Sequence, residues 1–594
     1  MFSKNPFLKK ALKTAAALTL VLFLGIFLGY VTNHVLSENG RFEAFAERIF
    51  ENEVSQNALT LHYSLAYPEK QGISGVSPSL GAVSSDISGA IEQCREYETA
   101  LKKFSYSKLS EENRLTLDML LLYYHTESSL EGLSLLQEPL GPSLGVQAQL
   151  PVLLAEYPFH RDRDISDYLN LLTAIRPYFQ SILAFEQEKS AAGLFMSDTT
   201  LDRILKQCSA FIQNPESNYM LEIFRQKLTE YQKFSEKELE QLTETHKKIF
   251  LNEVIPAYQE LMEGLSALRG TGRSSSGLAG YEGGREYYLY LIKSQTGSYL
   301  PVPQIEKRLL RQLLLDSKEA GALLNKNPAL ASQLSEGILA ETEPAEILET
   351  LKEQMNEDFP EPEETDYEIR YVHDSMEEYL SPAFYLTPPL DTGSPNVIYI
   401  NRSSQSSQLE LFTTLGHEGY PGHLYQTVFF ARQKPSNIRY LISSGGYVEG
   451  WATYTEPYAY RYAGESSDAE NAPEIARLSW LNRSINLCIY SLMDIGVHYR
   501  NWNQAQAAGF LKAFGIRDET AVKNIYQYIV ETPGNYLKYY LGYLSFLDLR
   551  DACMQAAGDA FDLKEFHRQV LETGPVQFPV LEKYIRRKYA AVQK

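Results

Sequence analysis

The sequence predicts a mainly α protein: a large helical body with one small antiparallel β-sheet embedded in it. Three observations carry that prediction. Apolar residues recur at three- and four-residue spacings through most of the 594 residues, as in SEENRLTLDMLLLYYHTESSL and DYLNLLTAIRPYFQSILAFEQEK. One interval, beginning at Tyr367, carries short β-branched and aromatic runs set apart by Pro, Gly and Asp. No segment repeats with a period of ~20–50 residues, so a solenoid is not indicated.

At the N-terminus, Lys4, Lys9, Lys10 and Lys13 precede an uncharged run from Thr14 to Thr32, TAAALTLVLFLGIFLGYVT. A helix needs ~20 apolar residues to cross a bilayer. A basic flank stays on the cytoplasmic side, so the remainder of the chain is expected to be exported. A cleaved signal peptide has a shorter apolar core, ~7–15 residues, followed by a small-x-small site. GYVTNHVLSENG offers no such site, and no cysteine lies nearby to take a lipid. The reading is a cytoplasmic Lys-rich stub and signal-anchor over 1–35, making a single-pass cell-membrane protein, with an extracytoplasmic domain over 36–594.

From Phe42 to about Leu268 the pattern is helical, with turns at Pro-containing stretches such as LGPSLGVQAQLP. GTGRSSSGLAGYEGG, 270–284, is the clearest loop and reads as a solvated connection, a hinge or a flap. Helical spacing resumes from Gly284 to Met355 and is broken by FPEPEETD. YEIRYVH, AFYLTP and NVIYIN then read as about three strands, with Asn396–Asn401 expected at the sheet edge. Helices are expected from Gln408 to the end.

Composition narrows the function classes. Hydrophobic residues make up 44%, charged residues 22%, and mean hydropathy is −0.29, values of an ordered globular chain. A net charge of −20 argues against nucleic acid as a partner, because phosphate binding needs a concentrated basic surface. Cys94, Cys208, Cys488 and Cys553 form no CxxC pair and read as isolated buried thiols. There are 41 tyrosines against three tryptophans, and most of them are expected in packing and cleft lining.

The chemistry follows the strands. QLELFTTLGHEGYPGHLYQ contains His417, Glu418 and His423. In HExxH, two His at i and i+4 share one helix face and bind zinc, and the Glu serves as general base. Here the spacing is i, i+6, which places the rings ~120° apart on a straight helix. Pro421 and Gly422 break that geometry, so His423 can take the second position. Glu449, in GGYVEGWATYTEPY, would complete a His, His, Glu set that leaves a position for water. Glu456 lies seven residues on, on the same helix face, where it could orient a ligating His. Asp494 and His498, at i, i+4 in MDIGVHYRNW, form a candidate pair that would donate to an oxyanion. Tyr536, Tyr539 and Tyr540, beside Pro533-Gly534, offer phenols for the same task.

HEGYPGH, EGWATYTE, DIGVHYRNW and PGNYLKYYLG, in that order, resemble the bacterial "domain of unknown function 885" family, itself similar to HExxH-type zinc metallopeptidases of the gluzincin group. The resemblance also takes in GVQAQLPVLLAEYPF, GREYYLYLI and NVIYIN. It implies metal ligands at His417, His423 and Glu449, Glu418 as general base, and functional positions at His498 and Tyr539. The family often has a second His after Pro-Gly, where this chain has Leu424, and Gln where Asn535 stands.

The expectation is a membrane-anchored zinc peptidase, with one zinc ion per chain, acting on peptide or peptide-like substrates. An extended peptide would pair with the sheet edge. Two alternatives remain open at this stage. One is a surface binding or scaffolding protein that retains the fold without turnover. The other is a hydrolase of non-peptide amides or esters, or of cell-wall peptide bonds.

Overall fold

The computed structural model describes residues 37–592, apart from 273–275, 335–336, 374–376, 378–380 and 405–406. The expected membrane-crossing run at 14–32 lies outside the described residues. Among those described, no helix is long and apolar enough to cross a membrane.

The helical region expected over 42–268 divides between two cores. Its first part, from α1 (Glu38–Val54) to Leu136, packs with the C-terminal helices. Residues from Leu140 to Leu265, joined by Leu59 and Leu80, build a second core around α2 (Asp162–Ala192) and α3 (Asp198–Ile212). Local signals set the ends of these helices. The Asp164 carboxylate accepts from the backbone N–H of His160 and Arg161 at the start of α2, and Gly193 ends it at φ 72°.

Two further helices, α4 (Gly284–Thr296) and α5 (Val302–Lys326), lead to the sheet. Its strands, β1 (Tyr367–Tyr371), β2 (Ala383–Leu386) and β3 (Asn396–Ile400), fall where the sequence predicts, but they pair in the order β1-β3-β2. β2 runs antiparallel to β3 and β1 runs parallel to it, so the sheet is mixed rather than antiparallel. The chain between β1 and β3 is long enough for the crossover that a parallel pair needs. β3 is therefore central, not an edge, and all five of its residues are buried. An unbroken apolar run is the mark of a strand covered on both faces. β1 and β2 are the edges. Asn401 N donates to Pro382 O (2.9 Å), so Ala383 and Tyr385 turn their backbone groups outward.

The C-terminal half is a bundle of α6 (Gln408–Glu418), α7 (His423–Ala431), α8 (Gly445–Glu465), α9 (Ala472–His498), α10 (Glu519–Glu531), α11 (Asn535–Ala557) and α12 (Phe578–Val592). α8 and α11 cross with their backbones in contact. A Cβ on Gly450 would stand 2.5 Å from Gly542 Cα, and one on Gly542 would stand 2.2 Å from Gly446 O. Only glycine allows that approach.

Nine of the twelve largest fully buried side chains are tyrosines, so the tyrosine excess is largely a packing device. Two of their hydroxyls reach backbone acceptors, Tyr258 to Gln147 O (2.7 Å) and Tyr447 to Val570 O (2.7 Å), and others reach side chains, as Tyr168 does to His246 Nε2 (3.1 Å). The four cysteines are free thiols; three are buried and Cys94 is half-buried.

Candidate metal centre

The two histidines of HEGYPGH sit on different helices. α6 is capped by Ser407, whose Oγ accepts from Glu410 N (3.2 Å), and it ends at Glu418. The chain turns through Gly419–Gly422, and α7 opens at His423. Gly422 is required there, because a Cβ would lie 1.8 Å from His417 O. The Pro421 carbonyl, left without a helical partner, accepts from Trp451 Nε1 (2.9 Å) on α8. This break resolves the i, i+6 spacing. The two rings meet edge to face with centroids 4.8 Å apart. Leu424 is fully buried in the main core, so the seventh position after His417 faces away from the site.

Glu449, in the second turn of α8, points between the imidazoles. Its Oε2 lies 3.7 Å from His417 Nε2 and 3.5 Å from His423 Nε2. One ligand atom from each of the three residues falls within 4.8 Å of the others. Two turns further along α8, Glu456 takes the other ring nitrogen, His417 Nδ1, at 3.0 Å. Glu456 is 2% exposed and is gripped in turn by Arg483, whose Nη2 lies 2.7 Å from Oε1.

Charge is arranged to suit these contacts. Burial alone would raise Glu456, yet Arg483 and then His417 hold it down to about 2. Burial likewise opposes ionisation of Glu449, but hydrogen bonds from His417 and His423 hold it well below the usual carboxylate range. His417 is buried, which disfavours its cation, but Glu449 and Glu456 lift it to about 10. Glu418, next to these groups, is raised by burial. Its Oε2 accepts the outward backbone N–H of Tyr385 on β2 (2.9 Å).

The three candidate tyrosines separate. Tyr539 lies over His417, with ring centroids 6.3 Å apart. Burial, then the charges of Glu449 and Glu418, push its phenol upward, so it remains a hydrogen-bond donor at neutral pH. Tyr540 is buried against Ser484 (2.8 Å) and Asp316, away from the cluster. Tyr536 lines a neighbouring cavity.

The structure does not bring Asp494 and His498 together as a donor pair. His498 Nδ1 accepts from Leu278 N (3.1 Å), and Nε2 donates to Ile529 O (2.8 Å). The ring is fully buried and stacked on Tyr288, leaving neither nitrogen for a substrate. Asp494 takes the Tyr288 hydroxyl and Gly534 N (2.8 Å). Both residues are latches: they fasten the end of the 270–284 loop and the entry of α11 to α9. That loop is accordingly tethered at Leu278, not a free connection.

Three participants escape the sequence reading. Arg483 supports Glu456. Lys538 reaches Glu449 Oε1 at 3.8 Å. The Tyr385 amide holds Glu418. Lys538 was signalled by its place inside the otherwise apolar NYLKYYLG. Nothing in the sequence marks Arg483 or a backbone amide.

Fold and site define a mainly helical protein whose inner helices converge a His, His, Glu cluster beside a small sheet. The chain belongs to the DUF885 family, bacterial proteins of unknown function, which matches residues 79–585. No curated protein matches it. Among solved structures it is similar to a candidate lipoprotein from Colwellia psychrerythraea, at 19% identity and TM-score 0.82, covering 93% of this chain and 100% of that one. A candidate lipoprotein of unknown function from Shewanella oneidensis matches at 15% identity and TM-score 0.62, covering 91% and 99%. These likenesses establish the fold.

Proposed function

We propose that the protein is a membrane-associated, extracytoplasmic zinc hydrolase of the gluzincin type that cleaves peptide bonds in short peptides. The observation that carries this reading is the convergence of His417, His423 and Glu449 to within 4.8 Å, with Glu418 alongside. The donor set fits zinc. Ligands at ~2.05 Å around a tetrahedral ion stand ~3.3 Å apart, close to the 3.5 and 3.7 Å between Glu449 and the two imidazoles. A structural zinc site is closed by four protein ligands, whereas this set has three and keeps a carboxylate next to it.

When bound, zinc would polarise the scissile carbonyl and acidify a water molecule. The chain's own residues would do the rest. Glu456 fixes the ring orientation of His417. Glu418, beside the ligand set, would take the proton of the attacking water and pass it to the leaving amine. Tyr539 donates its hydroxyl to the oxyanion. On the edge of β2 the Tyr385 N–H is given to Glu418, which leaves the Tyr385 carbonyl and the Ala383 backbone groups to pair with an extended peptide, in place of the buried β3.

The placement rests on the uncharged run 14–32 behind its lysines and on the two lipoprotein likenesses. The first cysteine is Cys94, so the anchor proposed is the apolar run itself.

Metal analysis of the detergent-solubilised full chain tests the reading. About one zinc per chain is expected in the wild type and in Glu418→Gln, and none in His423→Ala. Hydrolysis of a peptide pool should be lost in both variants. Unchanged zinc in His423→Ala would remove the ligand set.

A further inference from the structure

A cavity of about 580 Å³ opens beside the metal cluster, between α3, α9, α10 and the first turn of α11. Its walls include Arg203, Tyr490, Lys523, Gln527, Tyr528 and Tyr536. None of the residues placed in the chemistry above lines it, yet it is connected to them along two helices. Tyr536 stands one turn before Tyr539, the phenol that covers His417. Tyr490 stands seven residues after Arg483, the partner of Glu456. Tyr528 lies within electrostatic range of Tyr539, and Tyr536 within range of Arg483, so the cavity adjoins the cluster.

The cavity's chemistry is mixed in a specific way. Tyr490 and Tyr528 both pack on Tyr536, with centroids 4.8 and 5.6 Å away, and form an aromatic wall. Arg203 and Lys523 also line the cavity, and no Asp or Glu is among the described lining residues. Arg203 is held from behind: Nη1 lies 2.5 Å from Glu531 Oε2, a side chain only 2% exposed, while the arginine remains 41% exposed. Gln527 Nε2 also fixes Glu531 (2.7 Å). Lys523 is exposed and has no carboxylate within ion-pairing distance among the described residues. Arg203 is neutralised by Glu531, so on a chain of net charge −20 the cation of Lys523, facing a cavity that no carboxylate lines among the described residues, is a local inversion. The inversion favours an anionic group arriving there.

We propose that this cavity is a subsite that recognises a carboxylate on the substrate. The aromatic wall takes the apolar part of the residue that bears it. The inference rests on the peptidase reading. The carboxylate is either an acidic side chain or the free C-terminus of a short peptide.

The test separates this proposal from the reading beneath it. Binding is measured by fluorescence anisotropy on the full chain carrying Glu418→Gln, which holds substrate without turnover. The probes are N-labelled hexapeptides of mixed sequence, made as free acids or C-terminal amides, with Glu or Gln at each inner position. Carboxylate-bearing peptides should bind about tenfold tighter than neutral ones. Lys523→Glu, at an exposed position, should erase that preference and leave neutral peptides unchanged; Arg203→Gln should weaken it. The acid–amide and Glu–Gln comparisons identify which carboxylate is read. Equal affinity for charged and neutral peptides, or a preference that survives Lys523→Glu, overturns the proposal. Carboxylate-selective binding with no hydrolysis by the wild-type chain would keep the subsite and overturn the peptidase. Hydrolysis indifferent to substrate charge would do the reverse.

Discussion

Replacing Glu456 by glutamine tests how the site is held together without touching a proposed ligand. The carboxylate is buried and has two tasks: it accepts from His417 Nδ1 at 3.0 Å and from the Arg483 guanidinium at 2.7 Å. An amide of the same shape has one carbonyl oxygen and an NH₂ group. With its carbonyl oxygen in the place of Oε1 it still accepts from both His417 Nδ1 and Arg483 Nη2, but its NH₂ group then faces the Arg483 Nε–H, donor against donor. The bond to His417 loses its charge assistance, which accounts for roughly half its strength. Loss of a carboxylate behind a ligating His weakens metal binding by about 10–100-fold, or ~1.4–2.7 kcal/mol at ~1.36 kcal/mol per decade. Arg483 is 43% exposed and can turn to water, so the folded chain itself should survive the change. The assay is competition for zinc between the full chain and a chelator of known affinity, with Glu456→Gln compared with wild type and His417→Ala. Glu456→Gln should bind zinc with unchanged stoichiometry and an affinity lower by one to two decades, and recover activity when zinc is saturating. An affinity within twofold of wild type would refute the positioning role. Complete loss, as in His417→Ala, would refute the distinction between ligand and support.

Three other expectations follow from the same geometry. Tyr539→Phe should lower kcat by about 10²–10³-fold with zinc content unchanged; a shift in KM alone would assign the phenol to binding. His498→Ala should cost about 2–4 kcal/mol in denaturant unfolding, from two lost hydrogen bonds and a cavity, and leave the zinc content of the folded chain intact. A fall in kcat without a loss of stability would return His498 to the chemistry. Burial holds the His567 imidazole down to about 3, against an ordinary 6.5. The unfolded chain therefore gains a proton below pH 6.5 that the folded chain refuses until about pH 3. Stability is lost as pH falls through that window, by ~1.4 kcal/mol per unit from this group. His567→Gln should flatten the pH dependence by that amount, and an unchanged slope would show that the ring takes up a proton in the folded state.

Much of the candidate site is legible in the sequence because its residues lie in three short, ordered motifs. His417, Glu418, His423, Glu449 and Glu456 come together although no straight-helix argument allows the i, i+6 spacing. Pro421 and Gly422 are the visible warning, and the break they mark places the two histidines on separate helices. Spacing misleads at Asp494 and His498, where i, i+4 neighbours turn to different partners across the bundle. Such partners are long-range, Leu278 and Ile529 for the histidine, and one chain's periodicity holds no record of them. Sheet order was hidden for the same reason. The strands can be read locally, but which one is central depends on a crossover, and only the unbroken apolar run of NVIYI hinted at it.

The crossing of α8 and α11 at Gly450 and Gly542 has a consequence for how such a protein can diversify. α8 carries Glu449 and α11 carries Tyr539, and main chain rests on main chain where they meet. The distance between proton donor and carboxylate is therefore fixed by atoms that every residue shares. Substitutions in the surrounding walls, including the cavity lined by Arg203 and Lys523, can change what is admitted without retuning that distance. Selectivity and reaction geometry are in this way mechanically uncoupled, and a single methyl group at either glycine would couple them again.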